Sequence, residues 1–231
     1  MKEYHKIQSL FKRDKSKKMI FTEYSIPEFK YLENCEWDFT EKVNGTNICI
    51  KWDGKNVRFG NPDSQIPVSL IDYCMDNVFN KIDTFQRLFK DKNVEIYGEG
   101  YGKGIQETDG SRYFSKGADI IIFDVNVDGW WLDKNSCIDI AAEFALNMVP
   151  CIGSGTLFDM LEIVRRGFIS CLSSRVIAEG IVAKPKVDLN TRSGDRIITK
   201  LKYLDFPEKE RGNGETICKP SNSLILRGRE I

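Results

Sequence analysis

Apolar and polar residues alternate through Trp37-Asp38-Phe39-Thr40-Glu41, the period of a strand with one buried face. The pattern predicts a strand up to Lys42, a turn at Asn44-Gly45, and a returning strand from Thr46 to Trp52. Asp53-Gly54 reads as a second hairpin turn, so that Trp37 to Gly60 forms a meander. Ile26-Pro27 to Leu32 reads as an extended lead-in. From Val68 to Phe89 the period changes. Leu70, Ile71, Cys74, Val78, Ile82, Phe85 and Phe89 fall at mixed spacings of three and four, which predicts one or two helices covering a sheet.

Strand character returns at Val94 to Gly100, which carries Glu99 into a glycine-rich turn, and Gly98 to Gly117 reads as a loop. Ile120 to Val125 is an apolar strand, and Val127-Asp128-Gly129-Trp130 a hairpin. Asn135-Ser136 is placed to cap a helix through Leu146. Thr156 is placed to cap another through Arg166, ended by Gly167. Glu179 to Lys184 and Arg196 to Lys202 are strands, and the second sets Lys200 and Lys202 on one face. No repeat or low-complexity tract divides the chain. The prediction is one α+β domain over residues 1–231, an antiparallel β-sheet core with flanking helices.

Composition narrows the function. The 231 residues are 41% hydrophobic with zero formal net charge, so any nucleic-acid contact is expected in a local basic groove. Lys12, Arg13, Lys15, Lys17 and Lys18 form a basic cluster suited to phosphates. No apolar run reaches the roughly 20 residues of a membrane span. The charged N-terminal stretch is unlike an export signal, so a cytoplasmic protein without membrane contact is expected. Seven cysteines without a Cys-x-x-Cys pair, and one histidine, give no zinc pattern and fit reduced thiols. The Gly98–Gly117 loop has neither a Walker motif nor Gly-x-Gly-x-x-Gly, which removes the P-loop and dinucleotide readings.

Five segments carry the candidate chemistry in order: Lys42-Val43-Asn44-Gly45, Gly98-Glu99, Phe123-Asp124-Val125, Glu179-Gly180-Ile181-Val182 and Lys200-Leu201-Lys202. This series resembles the motif set of covalent nucleotidyltransferases, which include polynucleotide ligases and mRNA capping enzymes. It is most similar to the ATP-dependent RNA ligases of bacteriophage type, which include the RNA-editing ligases. Phe59-Gly60, Ser64-Gln65-Ile66-Pro67, Tyr97 to Gln106 and Gly129-Trp130-Trp131-Leu132 extend the likeness over roughly Phe11 to Phe206.

The resemblance implies the ligase adenylation domain, an ATP-grasp-like nucleotidyltransferase fold, with ATP and Mg²⁺ or Mn²⁺ as cofactors. It implies Lys42 as the nucleophile that forms a lysyl-AMP, and Lys200 and Lys202 as cations on the α-phosphate. It implies nucleotide contacts from Glu41, Asn44, Asn47, Glu99 and Phe123, the last stacked on adenine. Glu179 and Glu99 are implied at the metal, and Asp124 as an orienting group. Position 44 is acidic in many relatives and asparagine here. An arginine common after the Phe-Gly pair is missing, and Arg58 is the substitute. The expected partners are RNA 5′-phosphate and 3′-hydroxyl ends, including those of a nicked duplex, joined by a monomer through an adenylylated 5′ end. The distance from Lys202 to the last residue leaves no expected room for a C-terminal OB-fold or other appended domain. The alternatives are a DNA ligase or capping guanylyltransferase core using the same covalent step, and an inactive nucleic-acid-binding relic.

The chemistry sets a quantitative demand. With a reference pKa near 10.4, only about one lysine in a few thousand is neutral at pH 7. Lowering that pKa by ~3 units takes about 4 kcal/mol, and neighbouring cations or burial have the right sign.

Overall fold

The computed structural model describes residues 4–61, 65–106, 113 and 117–217. Residues 1–3, Pro62, Asp63 and Ser64, residues 107–112 and 114–116 of the glycine-rich loop and the last fourteen positions lie outside the described residues. The strands are β1 (Gln8–Ser9), β2 (Phe11–Arg13), β3 (Met19–Tyr24), β4 (Trp37–Glu41), β5 (Thr46–Trp52), β6 (Val57–Gly60), β7 (Val94–Gly102), β8 (Ala118–Val127), β9 (Trp130–Trp131), β10 (Asn147–Met148), β11 (Cys151–Gly155), β12 (Gly180–Pro185) and β13 (Thr199–Lys202). The helices are α1 (Pro27–Tyr31), α2 (Val68–Asn77), α3 (Ile82–Phe89), α4 (Lys134–Glu143) and α5 (Leu157–Arg166).

Two compact units form, one from Met1–Tyr4 and Asn44–Val149, the other from His5–Val43 and Pro150–Ile231. The first holds a six-stranded sheet in the order β10-β8-β7-β5-β6, with β9 on β8. Alternation sorts its two faces. Ile48, Ile50, Trp52, Val94, Ile96, Ile120, Ile122 and Val125 join Leu70, Cys74, Val78, Phe85 and Phe89 in one apolar core. The opposite face is polar and aromatic. Register sets Asn47 against Glu99, Cys49 against Tyr97, and Lys51 against both Glu95 and Arg58.

The second unit holds a five-stranded sheet in the order β1-β13-β12-β4-β11, and the β2–β3 pair. Phe39, Ile181, Ala183 and Leu201 share its core with Leu157, Met160 and Val164 of α5. Thr156 accepts from the Asp159 backbone N–H while Asp159 caps the Thr156 N–H, a capping box that fixes the helix start. Gly167, at φ +71°, ends it. Pairing is antiparallel throughout the described sheets except β1–β13 and β10–β8, which are parallel.

Several local expectations are corrected. Asn44-Gly45 is not a hairpin, because β4 and β5 belong to different sheets. Gly45 is instead a point of close approach: a Cβ there would lie 2.2 Å from the Gly100 carbonyl oxygen. Gly98 and Gly100 lie inside β7 rather than in a turn; a Cβ on Gly100 would meet Leu70 at 2.3 Å. Ile26 to Leu32 contains a short helix with Pro27 at its first position, where the missing N–H costs nothing. Asp133, not Asn135 or Ser136, caps α4, accepting from both of their backbone N–H groups. Of the helical face drawn from α2 and α3, Ile71 and Ile82 stay partly exposed. The Asp53-Gly54 and Asp128-Gly129 hairpins are present; Asp128 and Gly129 both have positive φ, the signature of a type I′ turn.

Candidate active site

In the second unit, strand register gathers the charged side chains. Thr40 pairs with Val182, Val182 with Lys200, and Gly180 with Lys202. These residues share the sheet face opposite the α5-packed core, because Phe39, Ile181, Ala183 and Leu201 occupy the alternate positions. Lys42 follows β4 and is held in extension of it, its backbone N–H donating to the Gly180 carbonyl at 2.9 Å. Its Nζ donates to Glu179 Oε2 at 2.6 Å, while Lys202 Nζ lies 2.7 Å from Glu179 Oε1. One carboxylate thus bridges two ammonium groups. Lys200 completes the cluster. Burial first, then the charges of Lys42 and Lys202, holds its pKa below the ordinary lysine value.

Glu41 is turned away from this cluster. It pairs with Ile181 across β4–β12, so alternation points its side chain to the core face, where it is 1% exposed. The Ser170 hydroxyl and the Cys171 backbone N–H donate to its two carboxylate oxygens. Burial pushes its pKa up to about 7 against these hydrogen bonds. A nucleotide contact from Glu41 on the Lys42 face would therefore not run through its carboxylate. Ser170 was not singled out from sequence, and no local signal marks it.

The first unit carries the remaining candidates. Asn44 opens its main segment ahead of β5, and Asn47 sits opposite Glu99 on the polar face of β5–β7. Arg58 lies on that face at the far end of β6, exposed, 3.7 Å from Asp53. Four residues of strand separate the Arg58 register position from the Asn47–Glu99 pair, about 13 Å. Between Tyr97–Asp124 and Gly98–Ile122 the β7–β8 register shifts, and Phe123 is the extra residue. This bulge lets Asp124 and Ile122, two apart, serve opposite faces. Phe123 is half-buried, edge-on to Tyr4 at 5.0 Å. Tyr4 also packs on Tyr97 and Trp131, and its hydroxyl donates to the buried Asp124 carboxylate at 2.6 Å. Tyr4 was missed in sequence because nothing near it has strand or helix period.

Chemically, three lysines balanced by one carboxylate form a site for a polyanion, with a phosphoryl group the natural guest. Among the described residues no group of three or more His, Cys, Asp or Glu side chains is placed to hold a metal. The cluster offers a divalent cation one carboxylate, Glu179. That fits Mg²⁺, which keeps most of its water and takes much of its remaining coordination from phosphates.

The chain has no match among curated proteins. Among solved structures it is similar to the Naegleria gruberi RNA ligase with PPi, at a TM-score of 0.60 and 20% identity, covering 80% of this chain and 54% of that one. A mutant of that ligase with AMP and Mn gives a TM-score of 0.58 at 19% identity, covering 77% and 52%. Another mutant, with ATP and Mn, gives 0.56 at 19%, covering 75% and 52%. The chain spans about half the length of these ligases, and shares with them the α+β nucleotidyltransferase fold. The family model for RNA ligase matches residues 35–202, and the chain belongs to the RNA ligase family.

Proposed function

We propose that this protein is an ATP-dependent RNA ligase that works through a lysyl-AMP. The carrying observation is the bridge of Lys42 and Lys202 by Glu179, with Lys200 on the same sheet face. Lys42 Nζ attacks the α-phosphorus of ATP; an N–P bond forms and the P–O bond to pyrophosphate breaks. Glu179, 2.6 Å from that nitrogen, is the acceptor within reach for the proton the amine must lose. Lys200 and Lys202 offset negative charge developing on the phosphoryl oxygens. A divalent metal arriving with ATP would supply further charge neutralisation, with Glu179 as the second unit's candidate ligand and Glu99 as the first unit's. Phe123 would offer its ring to adenine, while Asn44, Asn47 and Arg58 would contact nucleotide or phosphate. The AMP would then pass to an RNA 5′-phosphate, and a 3′-hydroxyl would displace it.

Structures of the similar Naegleria gruberi ligase with ATP, AMP and Mn support the choice of nucleotide and metal. The test is incubation with labelled ATP or GTP and Mg²⁺ or Mn²⁺, followed by 5′-phosphorylated RNA as single strand and as nicked duplex. Label from ATP retained on denatured protein at Lys42, and sealed RNA, are expected. Label from GTP alone would overturn the ligase reading.

A further inference from the structure

The second unit contains a groove of about 460 Å³ lined by Lys6, Gln8, Ser9, Lys12, Arg13 and Lys200, with Ile7, Phe11 and Ser25, and no acidic side chain. It runs from the lysine cluster onto the N-terminal strands, because β1 pairs parallel with β13 and sets Ser9 beside Lys200. The Leu10 N–H donates to the Lys200 carbonyl and extends that pairing. The cations along it fall into two kinds. Lys12 is matched by Glu23 at 3.1 Å, and Arg13 by Asp205 at 2.6 Å. Lys6 and Lys200 have no carboxylate among the ion pairs of the described residues; burial, then the charges of Lys42 and Lys202, and last that of Lys6 hold the Lys200 pKa down against the opposing pull of Glu179. Cations gathered along one groove repel one another less when an anion sits among them. The groove lining continues from Lys200 onto β1 and β2.

We propose that this groove is a track for the phosphodiester backbone of the RNA strand leading to the reactive end, with Lys6 and Lys12 as its outer phosphate contacts. The identity of the strand rests on the ligase reading; the groove itself does not. Gln8, Ser9 and Ser25 line its floor with polar groups and carry no charge, which suits a backbone contact made without reading bases.

The experiment measures binding of a fluorescent 5′-hydroxyl oligoribonucleotide, which cannot accept AMP, across a salt series. It compares wild type, Lys6→Ala/Lys12→Ala, and Lys6→Arg/Lys12→Arg. Loss of the two contacts is expected to weaken binding about tenfold and to flatten the slope of log affinity against log salt by about 1.4, at ~0.7 per single-strand contact. The arginine variant, which keeps both charges, should bind within about twofold of wild type. Equal RNA affinity and slope for the alanine variant and wild type would overturn the proposal. So would an alanine variant that keeps its RNA affinity while its reaction with ATP alone slows, since that assigns the groove to the triphosphate. Lysyl-AMP formation by the wild type, scored separately, shows whether the ligase reading or the groove has failed.

Discussion

Lys42 and Glu179 stand 137 positions apart in the chain and 2.6 Å apart at their charged ends. Glu179 meets Lys202 with its other oxygen, so one side chain orients both the proposed nucleophile and a proposed phosphate-binding cation. Lys42→Ala should abolish transfer of AMP to the protein, a fall of at least about 10³-fold, with little loss of stability. Glu179→Gln should keep the shape but lose the charge, slowing transfer by about 10²-fold. Intact-protein mass spectrometry after ATP exposure reads both. A Lys42→Ala protein that still gains AMP would remove Lys42 from the chemistry.

Gly180 lies between that glutamate and the strand that carries Lys200 and Lys202. A Cβ at Gly180 would sit 2.0 Å from the Leu201 carbonyl oxygen and 2.8 Å from the Lys202 Cα. These are backbone atoms that cannot swing aside. Gly180→Ala should force β12 and β13 apart, costing about 3 kcal/mol or more of stability. Urea unfolding would show the loss, and a wild-type midpoint would contradict the close approach.

Glu41 makes stability depend on pH. Its carboxyl rises from 4.5 to about 7 in the folded chain because it is buried. The folded state therefore holds a proton that the unfolded state releases between those values, and stability falls as pH rises through that window. The full difference is about 3 kcal/mol. Glu41→Gln should remove this component, so the stability of wild type relative to the variant should fall between pH 5 and pH 8. Parallel curves would show that Glu41 titrates normally.

Tyr4 ties the start of the chain to the polar face of the six-stranded sheet. Tyr4→Phe keeps its ring contacts and removes the hydroxyl that donates to Asp124. The expected cost is about 1–2 kcal/mol in thermal or urea unfolding. Hydrogen exchange in β8 should rise with it, and unchanged exchange would mean the bond contributes nothing.

The apolar strands were legible because their neighbours obey the period of two that a half-buried sheet imposes. The expected strand Ile120 to Val125 lies inside β8, and the one expected over Glu179 to Lys184 is β12, displaced by a single residue. The motif order marks Lys42, Glu179, Lys200 and Lys202 in the sequence alone; the register of β12 with β13 and the Lys42 N–H bond to Gly180 explain how they come together. What failed was local inference about glycine. Asn44-Gly45 has the composition of a hairpin turn, yet the chain changes sheets there, and the glycine answers to Gly100, far along the sequence. Gly98 and Gly100 were read as turn residues for the same reason. The orientation of Glu41 was implicit in its adjacency to Lys42, since neighbours on a strand point oppositely, but its partner Ser170 lies 129 residues away. Lys6 lacked any signal until β1 was seen to pair with β13.

The strand order has a consequence for synthesis on the ribosome. β4, near the start, waits for β11 and β12, and Thr40 finds Val182 only after 142 more residues have emerged. The intervening segment from Asn44 to Val149 forms nearly all of the other unit and becomes available earlier. Sequence-distant pairings are slow to close, so the nascent chain passes through a stage in which Lys42 exists without its carboxylate. Protein released before β13 is made would carry Lys42 without the strand that brings Lys200 and Lys202, and the proposed uptake of AMP would begin only once that last strand closes.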